Sequence, residues 1–273
     1  MRRSYVTYVV LSLIVTLASC GNNGKQQSPA APKPDPVGFG SPPSWMDSII
    51  VDTTMISRNP LENDEAEWLA LYLSRDLVAP LDLYERVNHD LQAIRSAYGD
   101  LEPPLQGAFR EWWAPGILQV GLTDQAVSDY RAGTYTDLDE LNRLFQLDRI
   151  NENSLDRSGW LTLHFRGCLH PARLEEFYSN VGSIEGTSIW WFCCDGDRIY
   201  PWYANDKLTY LFREGWGDCP AGCIYSRYWY FRTSDDGSVE YVGSYTPSED
   251  EAEPAWWAEA SRNKTAFLHG HWY

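Results

Sequence analysis

Two segments in the first half of the chain repeat apolar residues at helical spacing. The first follows a capping residue, Asn63 or Asp64, and its apolar side chains share one face: Trp68, Leu69, Tyr72 and Leu73. The second begins at Pro80 and ends at Gly99, and its apolar residues recur at steps of three and four: Leu83, Val87, Leu91, Ile94 and Tyr98. The pattern predicts two amphipathic helices that pack against another part of the protein.

The middle of the chain alternates strand-like and helical patterns. Strands are predicted over residues 116–122, 147–155, 160–165 and 188–192, and helices over 137–147 and from Pro171 onwards. The order β-α-β-β-α-β is that of the ferredoxin-like split fold. It also resembles the small propeptide and inhibitor domains of subtilisin-type proteases, and this resemblance implies protease inhibition or chaperone activity.

The last eighty residues are dominated by aromatic and β-branched runs. Strands are predicted over residues 207–213, 224–233 and 238–245, with a hairpin signal at Asp236-Gly237 between the last two. We expect a meander that extends the preceding sheet. The predicted fold class is therefore α+β, with an N-terminal helical pair, a ferredoxin-like unit and a C-terminal antiparallel meander.

The start of the chain resembles the signal of bacterial lipoproteins. A basic start precedes an uncharged run, residues 5–19, which as a helix is too short for a typical bilayer core. Leu17-Ala18-Ser19-Cys20 resembles the lipobox, whose cysteine is lipidated and becomes the first residue of the mature chain. The resemblance implies attachment to the membrane through a lipid on Cys20, and Gly21 favours the outer membrane. The alternatives are a cleaved signal with an incidental cysteine or an uncleaved anchor.

These patterns divide the chain into five predicted segments. Residues 21–44 consist largely of Gly, Pro, Ser and Gln and predict a flexible spacer, whereas Ile49 to Val51 predicts a short strand. The segments are a signal peptide over 1–19, the lipidated cysteine and tether over 20–44, a helical segment over 45–106, the split αβ unit over 107–199, and the meander with an acidic, aromatic tail over 200–273.

The composition of the chain restricts the classes of binding partner that we expect. The 273 residues carry a formal net charge of −16, which repels phosphate backbones, so we expect no nucleic acid partner. Aromatic residues make up 14% of the chain, including 13 Trp. Three Trp pairs, at 112–113, 190–191 and 256–257, can each place one ring in the core and one at the surface. Exposed Trp beside carboxylates suits a glycan ligand.

The cysteines predict disulfides, because an exported chain meets an oxidising compartment. Cys219 and Cys223 close a short loop between two predicted strands. Cys168 follows the third strand of the split fold and Cys193-Cys194 follows the fourth, so we expect Cys168 to pair with one of them. Five cysteines follow Cys20, an odd number, so one thiol is left over, or Cys193 and Cys194 pair with each other. The spacing matches no zinc ribbon or finger, and no metal is expected.

The segment GWGDCPAGC, residues 215–223, is a candidate binding tip. It resembles segments of secreted bacterial proteins that have no assigned activity. Gly215 and Gly217 permit close approach and unusual backbone angles on either side of Trp216, and Asp218 adds an acceptor. The alternative is a hairpin connection that needs tight turns and has no binding role.

The sequence contains no catalytic signature such as GxSxG, HExxH or a P-loop. Asp195-Gly-Asp197 is interpreted as a solvated turn, with calcium binding as the alternative. His269-Gly-His271 lacks a third metal ligand. We therefore expect an envelope lipoprotein that acts as a non-catalytic binding module for a protein or glycan, without a cofactor. The alternatives are a carbohydrate-active enzyme and a propeptide-like inhibitor.

Overall fold

The computed structural model describes residues 65–100, 102–106, 113–191, 195–204, 207–247 and 252–269. The predicted signal peptide, Cys20, the tether, the strand at Ile49 to Val51, and Cys193 and Cys194 lie outside the described residues. Within the described part, no helix combines the length and the hydrophobicity that a bilayer crossing requires.

The N-terminal helical pair is present. Helix α1 spans Glu65–Ser74 and helix α2 spans Leu81–Tyr98, followed by a 3₁₀ turn at Pro103–Gln106. Helix α2 is amphipathic as predicted, but the prediction of a single apolar face was wrong for α1. Six consecutive residues from Ala66 to Leu71 are buried, because α1 packs between α2 and strands of the C-terminal sheet.

The middle of the chain forms a four-stranded sheet, the first sheet. Its elements are β1 Trp113–Leu122, α3 Asp124–Arg131, α4 Asp139–Leu144, β2 Leu147–Asn151, α5 Leu155–Ser158, β3 Trp160–Phe165, α6 Pro171–Tyr178 and β4 Ile184–Trp191. The strand order is β2-β3-β1-β4 and every pairing is antiparallel. Strand β3 therefore lies between β1 and β2, which is the arrangement of the predicted split fold.

One face of the first sheet packs against helices and forms a hydrophobic core. Leu118, Val120, Leu161 and Leu163 alternate along the two central strands and pack against Tyr178 and other helical residues. Residues at the intervening positions of β3, namely Trp160, Thr162 and His164, therefore lie on the opposite face.

The C-terminal strands form a separate four-stranded sheet, the second sheet. Its strands are β5 Arg198–Ala204, β6 Lys207–Trp216, β7 Tyr225–Thr233 and β8 Val239–Tyr245, paired antiparallel in sequence order. The predicted meander is confirmed, but the expectation that it extends the preceding sheet was wrong. The hairpin signal at Asp236-Gly237 is confirmed between β7 and β8, where Gly237 has a φ of +80°.

Helices cover both faces of the second sheet. Tyr210, Phe212, Trp229 and Phe231 pack with residues of α1 and α2. Helix α7, Trp257–His269, covers the other face, where its Trp257 and Ala260 contact a cluster of sheet residues: Tyr200, Leu211, Tyr228, Tyr230 and Tyr245. The C-terminal segment predicted as an acidic, aromatic tail is thus helical over 257–269, because its aromatic side chains complete this core.

A buried carboxylate joins helix α2 to the second sheet. Asp90 is fully buried and accepts hydrogen bonds from Arg86 Nε at 2.9 Å, from the Tyr210 hydroxyl at 3.0 Å and from Thr233 Oγ1 at 2.6 Å. These donors come from α2, β6 and β7. The carboxylate therefore fixes the helix on the sheet through two buried bonds, from Tyr210 and Thr233, and its bond with Arg86 lies within the helix.

Candidate binding surface at the hairpin tip

The loop between β6 and β7 is closed by a disulfide. Cys219 and Cys223 are bonded, as the sequence predicts. We call residues 215–225 the hairpin tip. Cys168 is buried beside the N-terminal helices, and its predicted pairing with Cys193 or Cys194 involves residues outside the described part, so that pairing stays a prediction.

A largely buried ion pair between Arg213 and Asp195 anchors the base of the hairpin tip. Arg213 of β6 donates to both carboxylate oxygens of Asp195, at 2.5 and 2.6 Å, and to Ser226 Oγ at 2.9 Å. The Cys223 amide also donates to Asp195 Oδ2 at 3.2 Å. Burial alone raises the pKa of Asp195, but the hydrogen bonds and charge of Arg213 outweigh burial and lower this pKa to about 2.

The second aspartate of the DGD turn also supports the tip. Asp197 Oδ1 accepts a hydrogen bond from the Gly215 amide at 2.9 Å. Interpreting this turn as solvated was wrong for Asp195, whose side chain is 16% exposed and is engaged by Arg213. The calcium alternative gains no support, because no group of three or more His, Cys, Asp or Glu suited to a metal occurs among the described residues.

Gly215 is required by the close approach of the disulfide. A Cβ atom at this position would lie 2.7 Å from Cys223 Sγ, a separation that real Cβ atoms do not adopt. Gly217 has a φ of +99°, and a Cβ there would lie 3.0 Å from Cβ of Ile224. The glycines predicted to flank Trp216 thus allow the two sides of the loop to pack closely.

The outer part of the tip exposes large apolar side chains. Trp216 is 41% exposed, Tyr225 44% and Ile224 64%. Trp216 and Tyr225 are opposite each other across β6 and β7, and their rings are stacked with centroids 5.9 Å apart and planes inclined by 24°. Asp218 is also exposed. The tip therefore presents a pre-ordered aromatic and aliphatic surface with an acceptor beside it.

Among the described residues, the other candidates from the sequence are not brought together into one site. An open pocket of about 420 Å³ beside α7 is lined by Glu253, Trp257 and Arg262 among others, and it contains one carboxylate, whereas glycoside hydrolysis generally uses two. His170 is buried, and burial followed by the charges of Arg173 and Arg75 lowers its pKa to about 4. His89 is exposed, and the side chain of His269 lies outside the described part.

The Trp pairs separate by burial where both side chains are described. Trp257 is buried at 7% exposure, whereas Trp256 is half-buried and contacts Tyr230. Trp190 is 41% exposed. The side chains of Trp112, Trp113 and Trp191 lie outside the described part.

Several residues of the tip were not singled out from the sequence. Ile224 and Tyr225 belong to a strand-like run, and nothing in that run marks them as exposed. Arg213 ends a predicted strand, and a charged residue in an apolar run was the available signal that it needs a buried partner.

Comparison with protein families, with curated proteins and with solved structures finds no match for this chain.

Proposed function

We propose that this chain is a non-catalytic binding module of the bacterial cell envelope. It is anchored to the outer membrane by a lipid on Cys20 and engages a protein partner through the hairpin tip. The observation that carries the proposal is the exposed, stacked pair of Trp216 and Tyr225 on a loop closed by a disulfide.

Pre-ordering favours binding at the tip. The disulfide and the ion pair between Arg213 and Asp195 already fix the loop, so association costs little further conformational entropy. Trp and Tyr are the side chains most often found at the energetic centres of interfaces. Exposed Ile224 beside the two rings favours an apolar pocket on a protein over a polar ligand.

The described residues give less support to the other functions. A hydrolase would need a second carboxylate beside the Trp257 pocket. A propeptide-like inhibitor would present an extended C-terminal segment, whereas residues 257–269 form a helix.

Photo-crosslinking from the full chain in intact cells tests the tip. A photo-reactive phenylalanine analogue at position 216 should give a defined protein adduct, and the same analogue at position 203 should not. Tyr203 is a matched control, because it is 59% exposed on the second sheet but outside the tip. No adduct, or the same adducts from both positions, would contradict the proposal.

A stability measurement separates a binding role from a packing role. Trp216→Ala should abolish binding of the protein partner. It should lower the melting temperature by less than about 3 °C, because it removes one exposed ring contact. Trp229→Ala is the contrasting variant, since this fully buried side chain should cost about 3–5 kcal/mol. A large loss of stability in Trp216→Ala would make Trp216 a core residue.

The anchor is tested independently of the tip. Cys20→Ala should abolish labelling of the chain by radioactive palmitate, because the thiol is the acceptor in the lipobox. Labelling that persists in this variant would contradict lipidation at Cys20.

A further inference from the structure

The first sheet has a second face that the described helices do not cover. The hydrophobic clusters of the described residues include Leu161, Leu163 and Phe165 of β3 but none of the alternating residues Trp160, Thr162 and His164. We call this side of the sheet, which carries Trp160 and Thr162, the open face. Trp160 and His164 are partly exposed and available to a ligand, whereas Thr162 between them is buried at 8% exposure.

Four uncharged polar side chains form a row across the open face. Asn151 of β2 is opposite Thr162 of β3, Thr162 is opposite Gln119 of β1, and Gln119 is opposite Ser188 of β4. Neighbouring strands are about 4.8 Å apart, so the row is about 14 Å long. Gln119 Nε2 donates to Thr162 Oγ1 at 3.5 Å, which shows that the row lies on one side of the sheet. Amides and hydroxyls offer both donors and acceptors.

A tryptophan lies flat beside this row. Gly121 of β1 is opposite both Trp160 and Gly186. A Cβ on Gly121 would be 2.9 Å from Cε2 of the Trp160 indole, and one on Gly186 would be 3.7 Å from its Cη2. The two glycines therefore leave a flat floor for the ring, which is only partly buried. One face of the indole covers backbone and the other is directed away from the sheet.

A second tryptophan belongs to the same side. Trp190 is two residues beyond Ser188 on β4, so it lies on the open face, and it is 41% exposed. The open face thus combines two indole rings with a row of neutral hydrogen-bonding groups.

We propose that the open face binds a neutral saccharide chain. Apolar faces of the sugar rings stack on Trp160 and Trp190, and ring hydroxyls exchange hydrogen bonds with Asn151, Gln119 and Ser188, which are the exposed or partly exposed members of the row. The row itself contains no charged residue, while Arg149 lies next to it on the same face, opposite His164. The net charge of −16 disfavours an anionic polymer. This site shares no residue with the hairpin tip, so the proposal of saccharide binding does not depend on the proposed protein-binding function.

Calorimetric titration of the full chain with neutral hexasaccharides tests the proposal. Cellohexaose, chitohexaose and maltohexaose are the probes, and hexagalacturonate is the anionic comparator. The detergent must lack a sugar headgroup, because such a headgroup would compete for the same site. At least one neutral probe should bind, and hexagalacturonate should bind more weakly. Failure of all three neutral probes at millimolar concentration, or a preference for hexagalacturonate, would overturn the proposal.

Variants locate the site. Trp160→Ala should raise the Kd by about tenfold or more. Asn151→Ala should raise it by about three- to tenfold, the loss expected for one hydrogen bond. Asn151 is exposed and its Oδ1 accepts a local hydrogen bond from the Asn153 amide at 2.9 Å, so this variant should fold and lose little stability. Trp216→Ala is the matched control and should bind as the unaltered chain does. If Trp160→Ala does not fold, Asn151→Ala alone tests whether the saccharide binds on the open face. Unchanged saccharide affinity in Asn151→Ala would then overturn the proposal.

Discussion

The two sheets have the same number of strands and the same antiparallel pairing, but they differ in how many faces are covered. Helices α2 and α7 cover opposite faces of the second sheet, whereas the described helices that pack on the first sheet lie on one side. Strand β7 accordingly has four consecutive buried residues, 228–231. In β3 the residues from Leu161 to Leu163 are buried, and Trp160 and His164 are partly exposed.

This difference explains where the aromatic residues are concentrated. In the second sheet both faces require large apolar side chains, so Tyr228, Trp229, Tyr230 and Phe231 follow one another directly. In the first sheet the described helices cover one face, so the other face does not need large apolar side chains and carries Gln, Thr, Ser and Asn. The open face and the end of the β6–β7 hairpin are thus two places in the described part of the chain where side chains are available for binding.

Removing the carboxylate of Asp90 should have the largest effect, because it fixes α2 to the second sheet. Asp90→Ala leaves Arg86 and the Tyr210 hydroxyl without this acceptor and should lower the free energy of unfolding by about 3–5 kcal/mol. Chemical denaturation measures this free energy of unfolding. Glu85→Ala, at an exposed position of the same helix, should change it by less than about 0.5 kcal/mol. Equal effects of the two variants would show that Asp90 does not hold the helix.

Acid should weaken the first-sheet region through His170, which precedes α6. Its pKa is about 4 in the folded chain and about 6.5 when unfolded, so between these pH values the unfolded chain binds the additional proton. Stability should therefore fall by about 2–3 kcal/mol as the pH drops from 6.5 to 4. Denaturation across this range should show the loss in the unaltered chain and its absence in His170→Gln. A similar slope in both would assign the loss to another group.

The hairpin tip of the second sheet should respond at lower pH and more weakly. Asp195 has a pKa of about 2 when folded, against 3.8 as its ordinary value, so its ion pair stabilises the fold above pH 3.8 and this contribution is lost as the pH falls to 2. The pH-dependent part should be about 1–2 kcal/mol, allowing for partial solvent screening. The difference in stability between the unaltered chain and Asp195→Asn should narrow across this window.

Asp218→Asn serves as the control for that measurement. Asp218 is exposed on the same loop, and its substitution should change stability by less than about 0.5 kcal/mol at neutral pH. A difference between the unaltered chain and Asp195→Asn that stays constant from pH 4 to pH 2 would contradict the role of the carboxylate charge.

The elements that the sequence predicted well are those with one buried face or a clear boundary residue. Strand β3 matches its predicted span, and α6 begins at Pro171 as expected. Helix α2 lies between the Pro80 and Gly99 signals. In each case the periodicity reflects burial on one side, and the boundary residue has a fixed conformational preference.

The elements that were missed have weaker local signals. Strand β5 contains Pro201, which argues against a strand but is tolerated because β5 is at the edge of its sheet. Helix α3 is short and polar, and its start is marked by the Thr123 side chain, which accepts from the Ala126 amide. Neither the polar row of the open face nor the pairing of Arg213 with Asp195 could be predicted, because strand register and side-chain burial depend on tertiary structure.

The flat position of Trp160 over two glycines has a consequence for sequence variation. A methyl group at position 121 would meet the indole at 2.9 Å, closer than side chains tolerate, whereas one at position 186 would make an ordinary contact at 3.7 Å. Among homologous chains, position 121 should therefore covary with position 160, so that any residue larger than glycine at 121 accompanies a smaller side chain at 160. Alanine at 186 should occur together with an unchanged tryptophan.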